Sequence, residues 1–409
     1  MELERRFTEV RADSERFCTP LNKEDYSLQA MADTSPPKWH LAHTSWFFET
    51  FVLKQYAPDY KAFNAAFEVL FNSYYNGIGD QHPRAERGLL SRPALEDVLE
   101  YRAHVNAGIT RLLQADHSER ERIHSLVELG THHEQQHQEL FFTDIKYGLS
   151  RNPLAPAYLN ETLASAPEPH SLGWLEHGGG QFSVGHPGDG FCFDNELPVH
   201  DVLLQPFALA DRLVTNAEYL AFIEAGGYQS PEYWLSDGWA TVCKEDWQAP
   251  LYWRRDASGW REYSLYGMVA LDPYRPVSHV SGYEADAYAR WAGYRLPSEF
   301  EWEVVAREEP VQGQFVDTGI LHPTVAGESE HQLHGGLWEW TSSSYAPYPG
   351  YTPAAGAVGE YNGKFMANQL VLRGGSCVTS RSQLRPSYRN FFYPPDRWQF
   401  TGIRLAAWR

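Results

Sequence analysis

Cysteine is scarce in this chain of 409 residues. There are four, Cys18, Cys192, Cys243 and Cys377. They are widely scattered and none lies in a Cys-x-x-Cys pair, so a disulfide framework is excluded and a reduced, cytoplasmic setting is expected. Long apolar runs are also missing. No stretch approaches the roughly 18 apolar residues of a membrane span. The opening Met1-Glu2-Leu3-Glu4-Arg5-Arg6 is charged and lacks an apolar segment, so no signal peptide is expected. Positive charge is in deficit, with 34 Lys and Arg against 53 Asp and Glu and a formal net charge of −19. Nucleic acid and anionic membrane surfaces demand the opposite sign and are not expected partners. The acidity is compatible with a cationic small molecule. No internal repeat, low-complexity tract or glycine-rich nucleotide loop is present.

What the chain does contain is apolar and aromatic. Hydrophobic residues make up 43% and aromatics 14%, with 14 Trp and 24 Tyr. Such a length suits two domains or three. Residues 1–150 read as helical: an amphipathic stretch from Met1 to Cys18, a helix opened by Ser35-Pro36-Pro37 and running to about Leu53, a third from Pro93 to Leu113, and a fourth from His124 to Leu149. Four long helices with irregular connections predict a four-helix bundle. Four prolines between 151 and 172 predict an extended linker. From Gly173 onward glycine, proline and tryptophan are frequent and strands are short, as in Gln181–Val184 and His200–Leu204. Helices are expected at Asn216–Ala225, at Ser281–Ala292 and from Pro297-Ser298-Glu299, giving an α+β domain over 173–409.

The chemistry concentrates in Thr131-His132-His133-Glu134-Gln135-Gln136-His137. On a helix His133 and His137 leave the same face, and that face continues to Leu126 and Leu140, so it points inward. Two inward imidazoles suit a metal ion. The second helix offers His40 and His43 as a third ligand, and the apolar neighbours Leu41, Trp46 and Phe47 predict that one of the two points in and the other lies at the edge. Three neutral imidazoles with open positions suit Fe(II), Zn(II) or Ni(II). The stretch also fits the His-Glu-x-x-His pattern of zinc hydrolases, with Glu134 as general base. Against that, Glu134 sits about 100° around the helix from His133 and is expected to face solvent. A binding or scaffold protein without metal is the further alternative, and the intact set of three histidines argues against it.

Several pieces of the carboxy-terminal half occur in a telling order. They are Glu196-Leu197-Pro198-Val199-His200, the run Val214–Phe222, Arg275-Pro276-Val277-Ser278-His279-Val280, and Ala287–Glu303 with its Gly293-Tyr294-Arg295-Leu296-Pro297. Gly336-Leu337-Trp338-Glu339-Trp340-Thr341, Val371-Leu372-Arg373-Gly374-Gly375-Ser376 and Gly402-Ile403-Arg404 follow. Together they resemble the formylglycine-generating-enzyme domain, a C-type-lectin-like fold. That enzyme's copper chemistry needs a cysteine pair after Gly-Gly-Ser, and only Cys377 stands here. The amino-terminal half, with Trp39-His40-Leu41-Ala42-His43 and His133–His137, resembles DinB-like metal bundles. The two halves in this order resemble the non-haem iron sulfoxide synthases of ergothioneine biosynthesis and their ovothiol relatives.

That resemblance implies a DinB-like bundle over 1–150 and a C-type-lectin-like domain over 173–409, with the site in the cleft between them. It implies Fe(II) held by His43, His133 and His137. The implied reaction uses O₂ to join a thiol to the imidazole of hercynine (trimethylhistidine) and delivers a sulfoxide; ovothiol-type regiochemistry and a selenium-transferring relative stay open. Arg84 and Arg87 match an Arg-x-x-Arg that grips the carboxylate of the thiol substrate, a task for guanidinium forks. Tyr74 and Tyr75 match a tandem tyrosine that serves catalysis in one branch of the family, in competition with plain aromatic packing. Gln136 and Asn390 are expected to bond hercynine, and Phe391 to supply an aromatic neighbour suited to its quaternary ammonium. Where relatives carry an Asp that contacts a γ-glutamyl amine, this chain has Phe392, so cysteine is the expected sulfur donor. The oligomeric state is not legible.

Overall fold

A computed structural model describes residues 1–327 and 331–409. The chain forms two compact units, one of Met1–Leu154 together with Ala354–Tyr361, the other of Ala155–Pro353 together with Asn362–Arg409. No helix among the described residues is long and apolar enough to cross a membrane.

The first unit is the four-helix bundle: α1 (Glu2–Cys18), α2 (Pro37–Phe48), α3 (Leu95–Gln114) and α4 (Arg120–Ser150). α1 is amphipathic and buries Phe7, Val10, Arg11, Ser14, Phe17 and Cys18 at helical spacing. α2 starts on Pro37 in its first turn, where the missing N–H is no loss. It continues through a π-turn at Glu49–Leu53. All twelve residues of α2 are buried. The expectation that one of His40 and His43 lies at an edge is therefore wrong: a helix hidden on every side has no edge, and both imidazoles are inside. α2 reaches α4 this closely because of Gly130. A Cβ there would stand 2.5 Å from Cε1 of Phe48 and 2.9 Å from Cε1 of Phe47.

A buried ionic cluster links all four helices. Glu134 of α4 accepts hydrogen bonds from Arg11 (2.8 Å) and Ser14 (2.6 Å) of α1 and from Arg102 (3.0 Å) of α3. Arg11 also donates to Ser45 (2.6 Å), and Arg102 to the Leu41 carbonyl (2.9 Å), both on α2. Burial alone would raise the Glu134 carboxyl, but Arg11 and Arg102 hold it below the usual carboxylate range. Burial lowers Arg11 to about 10, so it stays charged at neutral pH.

The second unit is α+β. A three-stranded antiparallel sheet has Phe207–Ala210 at its centre, between Trp174–His177 and Ala406–Trp408. A four-stranded sheet runs in the order Asn390–Phe392, Leu370–Arg373, Trp338–Ser344, Thr401–Gly402. The hairpin Gly180–Val184 with His200–Leu204 covers the core residues Trp302, Leu209 and Phe207. Helices at Asn216–Glu224, Gly282–Trp291 and Glu299–Ala306 each begin on a side-chain cap, from Thr215, Ser281 and Ser298. The helix Ser236–Glu245 and the antiparallel meander from Trp253 to Ala270 were not expected from the sequence. All four cysteines are free.

Removing one partner of a buried ion pair leaves an uncompensated charge and costs about 3–5 kcal/mol. Glu134→Ala should therefore lower the unfolding free energy by that amount in a denaturant titration of the metal-free protein. A variant as stable as the parent would show that the cluster does not hold the bundle together.

Candidate metal centre

α2 and α4 bring three imidazoles together. His43, His133 and His137 each offer one ring nitrogen, and these atoms lie within 4.8 Å of one another, all buried. Their rings pack at centroid distances of 5.0, 4.6 and 4.6 Å. His43 lies between the rings of Trp39 (4.5 Å) and Trp46 (5.5 Å), nearly parallel to both, which fixes its plane. Its Nδ1 is bonded to the Phe71 carbonyl at 2.6 Å, so Nε2 is the nitrogen turned to its neighbours. That Nε2, and both ring nitrogens of His133, are buried without a hydrogen-bond partner among the described residues. An unsatisfied buried polar atom costs about 1–3 kcal/mol, and a divalent cation removes that cost at His43 Nε2 and at one nitrogen of His133. The donor set therefore fits a metal ion.

Burial keeps the three imidazoles neutral. It lowers His133 to about 3 and holds His43 and His137 well below the ordinary range, with the neighbouring ligand rings adding to the effect. Neutral imidazole is the form that ligates metals.

His40 is not part of the triad. Its Nδ1 faces Nδ1 of His137 at 2.9 Å, and its Nε2 faces Asp144 Oδ2 at 3.1 Å. Glu134 is no general base. The expectation that it faces solvent is overturned by its burial, and its carboxylate is taken up by Arg11, Arg102 and Ser14.

Arg87 is buried beside the triad's stacking residue, its Cζ 3.4 Å from the centroid of the Trp39 ring. It donates to Ser35 (2.9 Å) and Ser73 (3.1 Å), and no carboxylate pairs with it among the described residues. Burial lowers it to about 9, so it remains a cation at neutral pH. Arg84 is exposed and donates to the Asp33 carbonyl. Tyr75 is buried with its ring against Phe51 (5.0 Å), Trp46 (5.5 Å) and Phe47 (6.4 Å), and burial pushes its hydroxyl pKa up.

Sequence reasoning missed the contribution of Ala354–Tyr361 to this unit. Tyr361 donates to Oε1 of Gln136 at 2.6 Å, and its ring lies 5.7 Å from His133 and 6.4 Å from Tyr74. Glu360 accepts from the backbone N–H groups of Asn76 (3.0 Å) and Gly77 (2.8 Å), pinning the loop that carries Tyr74 and Tyr75. Only contiguity in space joins these residues to the histidines, and no sequence spacing signals it.

Asn390 and Phe391 lie on a strand of the second unit. Phe391 stacks on Tyr345 at 4.0 Å, and Asn390 Oδ1 accepts from the Phe391 N–H at 2.8 Å. The preceding Arg389 anchors this strand through Glu299 (2.9 Å) and the Asn195 carbonyl (2.8 Å). Phe392 packs edge-on against Trp398 at 6.0 Å.

Two family models match the chain: the DinB superfamily over residues 6–141, and the sulfatase-modifying factor enzyme 1-like domain over 167–326 and 328–408. A hercynine oxygenase of Mycolicibacterium thermoresistibile is 30% identical, over 94% of this chain and 90% of the relative. The chain belongs to the hercynine oxygenase family. A hercynine oxygenase of Mycolicibacterium smegmatis is 31% identical over 91% of both chains. The formylglycine-generating enzyme of Streptomyces coelicolor is 30% identical and covers 62% of this chain.

The pKa values set a pH dependence. The imidazoles titrate near 6.5 when unfolded and His133 at about 3 when folded, so the unfolded state binds more protons between those values. The metal-free protein should lose stability as pH falls from about 6.5 toward 3, and His133→Phe should flatten that slope in urea titrations at pH 7 and pH 5. An equally steep slope in the variant would contradict the neutral, buried assignment.

Proposed function

We propose that this chain is a hercynine oxygenase: an O₂-dependent, Fe(II)-containing sulfoxide synthase of the cytoplasm that joins the sulfur of cysteine to the imidazole of hercynine in ergothioneine biosynthesis. The observation that carries the reading is a set of three buried, neutral imidazoles on α2 and α4 whose ring nitrogens converge within 4.8 Å, in a chain matching hercynine oxygenases over nine tenths of its length. His43, His133 and His137 would hold the iron, which when bound would supply O₂ activation.

The chain's own residues do the rest. Arg87 is a buried cation without a counter-ion among the described residues, and the carboxylate of the thiol substrate supplies one; Arg84 adds a second guanidinium from the same short helix. Gln136, oriented by Tyr361, and Asn390 bond hercynine, and Phe391 presents a ring to its trimethylammonium group. Tyr74 and Tyr75 supply a hydroxyl proton to the oxygen chemistry; the raised pKa keeps Tyr75 protonated at neutral pH. A zinc hydrolase of the His-Glu-x-x-His type is disfavoured because its base would be Glu134, locked in two ion pairs.

The test is direct. Anaerobic Fe(II) protein is given hercynine and a thiol, then air, and the product is read by mass spectrometry. A hercynine–cysteine sulfoxide is expected, and no carbon–sulfur product with any thiol would refute the reading. Cysteine should exceed γ-glutamylcysteine in kcat/KM, because Phe392 offers no carboxylate to a γ-glutamyl ammonium. One lost charged hydrogen bond costs about 1.5–3 kcal/mol, or roughly tenfold to over a hundredfold. A tenfold preference for γ-glutamylcysteine would place recognition elsewhere. Replacing Tyr74 and Tyr75 together by Phe should slow sulfoxide formation or divert O₂ to oxidising the thiol alone. An unchanged rate and product ratio would remove the pair from catalysis.

A further inference from the structure

His40 and Asp144 stand behind the triad in a line. His40 Nδ1 is 2.9 Å from His137 Nδ1, and His40 Nε2 is 3.1 Å from Asp144 Oδ2. All three side chains are buried. The same Asp144 oxygen accepts the Ser35 N–H at 2.8 Å, at the turn that opens α2, and Asp144 Oδ1 accepts from Thr143 at 3.3 Å. We propose that His40 and Asp144 are positioning residues that fix the tautomer of His137 and aim its Nε2 at the metal.

The argument is proton counting for an ionised Asp144 and a neutral His40. A hydrogen bond between two ring nitrogens carries one proton, so one nitrogen must donate and the other accept. Beside the Asp144 carboxylate, which only accepts, His40 Nε2 must carry a proton. A neutral His40 then has a bare Nδ1, which accepts. His137 Nδ1 must donate, which leaves its Nε2 lone pair for the cation. For an ionised Asp144 and a neutral His40, the chain Asp144–His40–His137 has one arrangement of protons, and that arrangement presents the ligating nitrogen of His137. Metal-ligating histidines commonly donate their second N–H to a carboxylate or carbonyl, and losing such a partner typically weakens metal binding by 10- to 100-fold. Here an imidazole is interposed between the ligand and the carboxylate. His43 obtains the same service from the Phe71 carbonyl. His133 has no such partner among the described residues, with both ring nitrogens unbonded, so the burden of fixing the site falls on the other two ligands.

This inference rests on the triad being the metal site, not on which metal fills it. The experiment uses the metal-free full chain and Co(II) in competition with a chelator, for the parent, His133→Ala, His40→Leu, His40→Asn and Asp144→Asn. His40→Leu should weaken Co(II) binding by ten- to a hundredfold and alter the visible Co(II) spectrum. His40→Asn should recover part of that affinity, since its amide oxygen can accept where Nδ1 did. Asp144→Asn should fall between the parent and His40→Leu. A second measurement needs no variant: in the Zn(II)-loaded parent, labelled with ¹⁵N-histidine, His137 should show metal-bound Nε2 and protonated Nδ1, and His40 should show protonated Nε2. Co(II) affinity unchanged in both His40→Leu and Asp144→Asn overturns the proposal, as does His137 ligation through Nδ1. Affinity unchanged in His133→Ala would instead overturn the reading of the triad itself.

Discussion

One buried carboxylate holds the first unit in register. Glu134 is the partner of Arg11 on α1 and Arg102 on α3, and those two guanidiniums reach the Ser45 hydroxyl and the Leu41 carbonyl of α2. The interaction is costly to desolvate and useful only if every arm is satisfied. Here the arms come from all four helices, so sliding or rotating any helix breaks a bond to a buried charge. The neighbouring residue is His133, and His137 follows one turn later. Whatever fixes the register of Glu134 also fixes the two imidazoles of α4 against His43 of α2.

Close approach is the second condition. Gly130 lets Phe47 and Phe48 of α2 rest on the α4 backbone, and that contact lies one turn before His133. The site is therefore built from a glycine that admits α2, a carboxylate that locks it, and aromatic rings that fix the planes of the histidines. Trp39 serves twice, stacking on His43 with one face and lying under the Arg87 guanidinium. That contact places the cation proposed for substrate binding next to a residue that orients a ligand.

Much of this was legible in the sequence. Helical spacing placed His133 and His137 on one face, Ser35-Pro36-Pro37 marked the start of α2, and ordered motifs from Glu196 to Arg404 named the second domain's family. What escaped was of two kinds. Helical-wheel reasoning assumes a wet face; α2 has none, so neither His40 nor His43 lies at an edge, and Glu134 of α4, expected to face solvent, is covered by α1 and α3. Long-range partnerships leave no local pattern. Nothing in Asp144 announces His40, 104 positions away, and nothing in Glu360 and Tyr361 announces the loop at 74–77 or Gln136. The Ser236–Glu245 helix and the following meander fell in a stretch whose aromatics and charges give no clean period.

The central claim is that three histidines from two helices hold one iron. Crystals of the anaerobic Fe(II)-loaded protein, with anomalous scattering recorded on both sides of the iron absorption edge, test it most directly. The account predicts a single iron peak bonded to one nitrogen each of His43, His133 and His137, with His40 behind His137 and out of contact. Iron bound by His40 in place of His43, or bound away from α2 and α4, would contradict it.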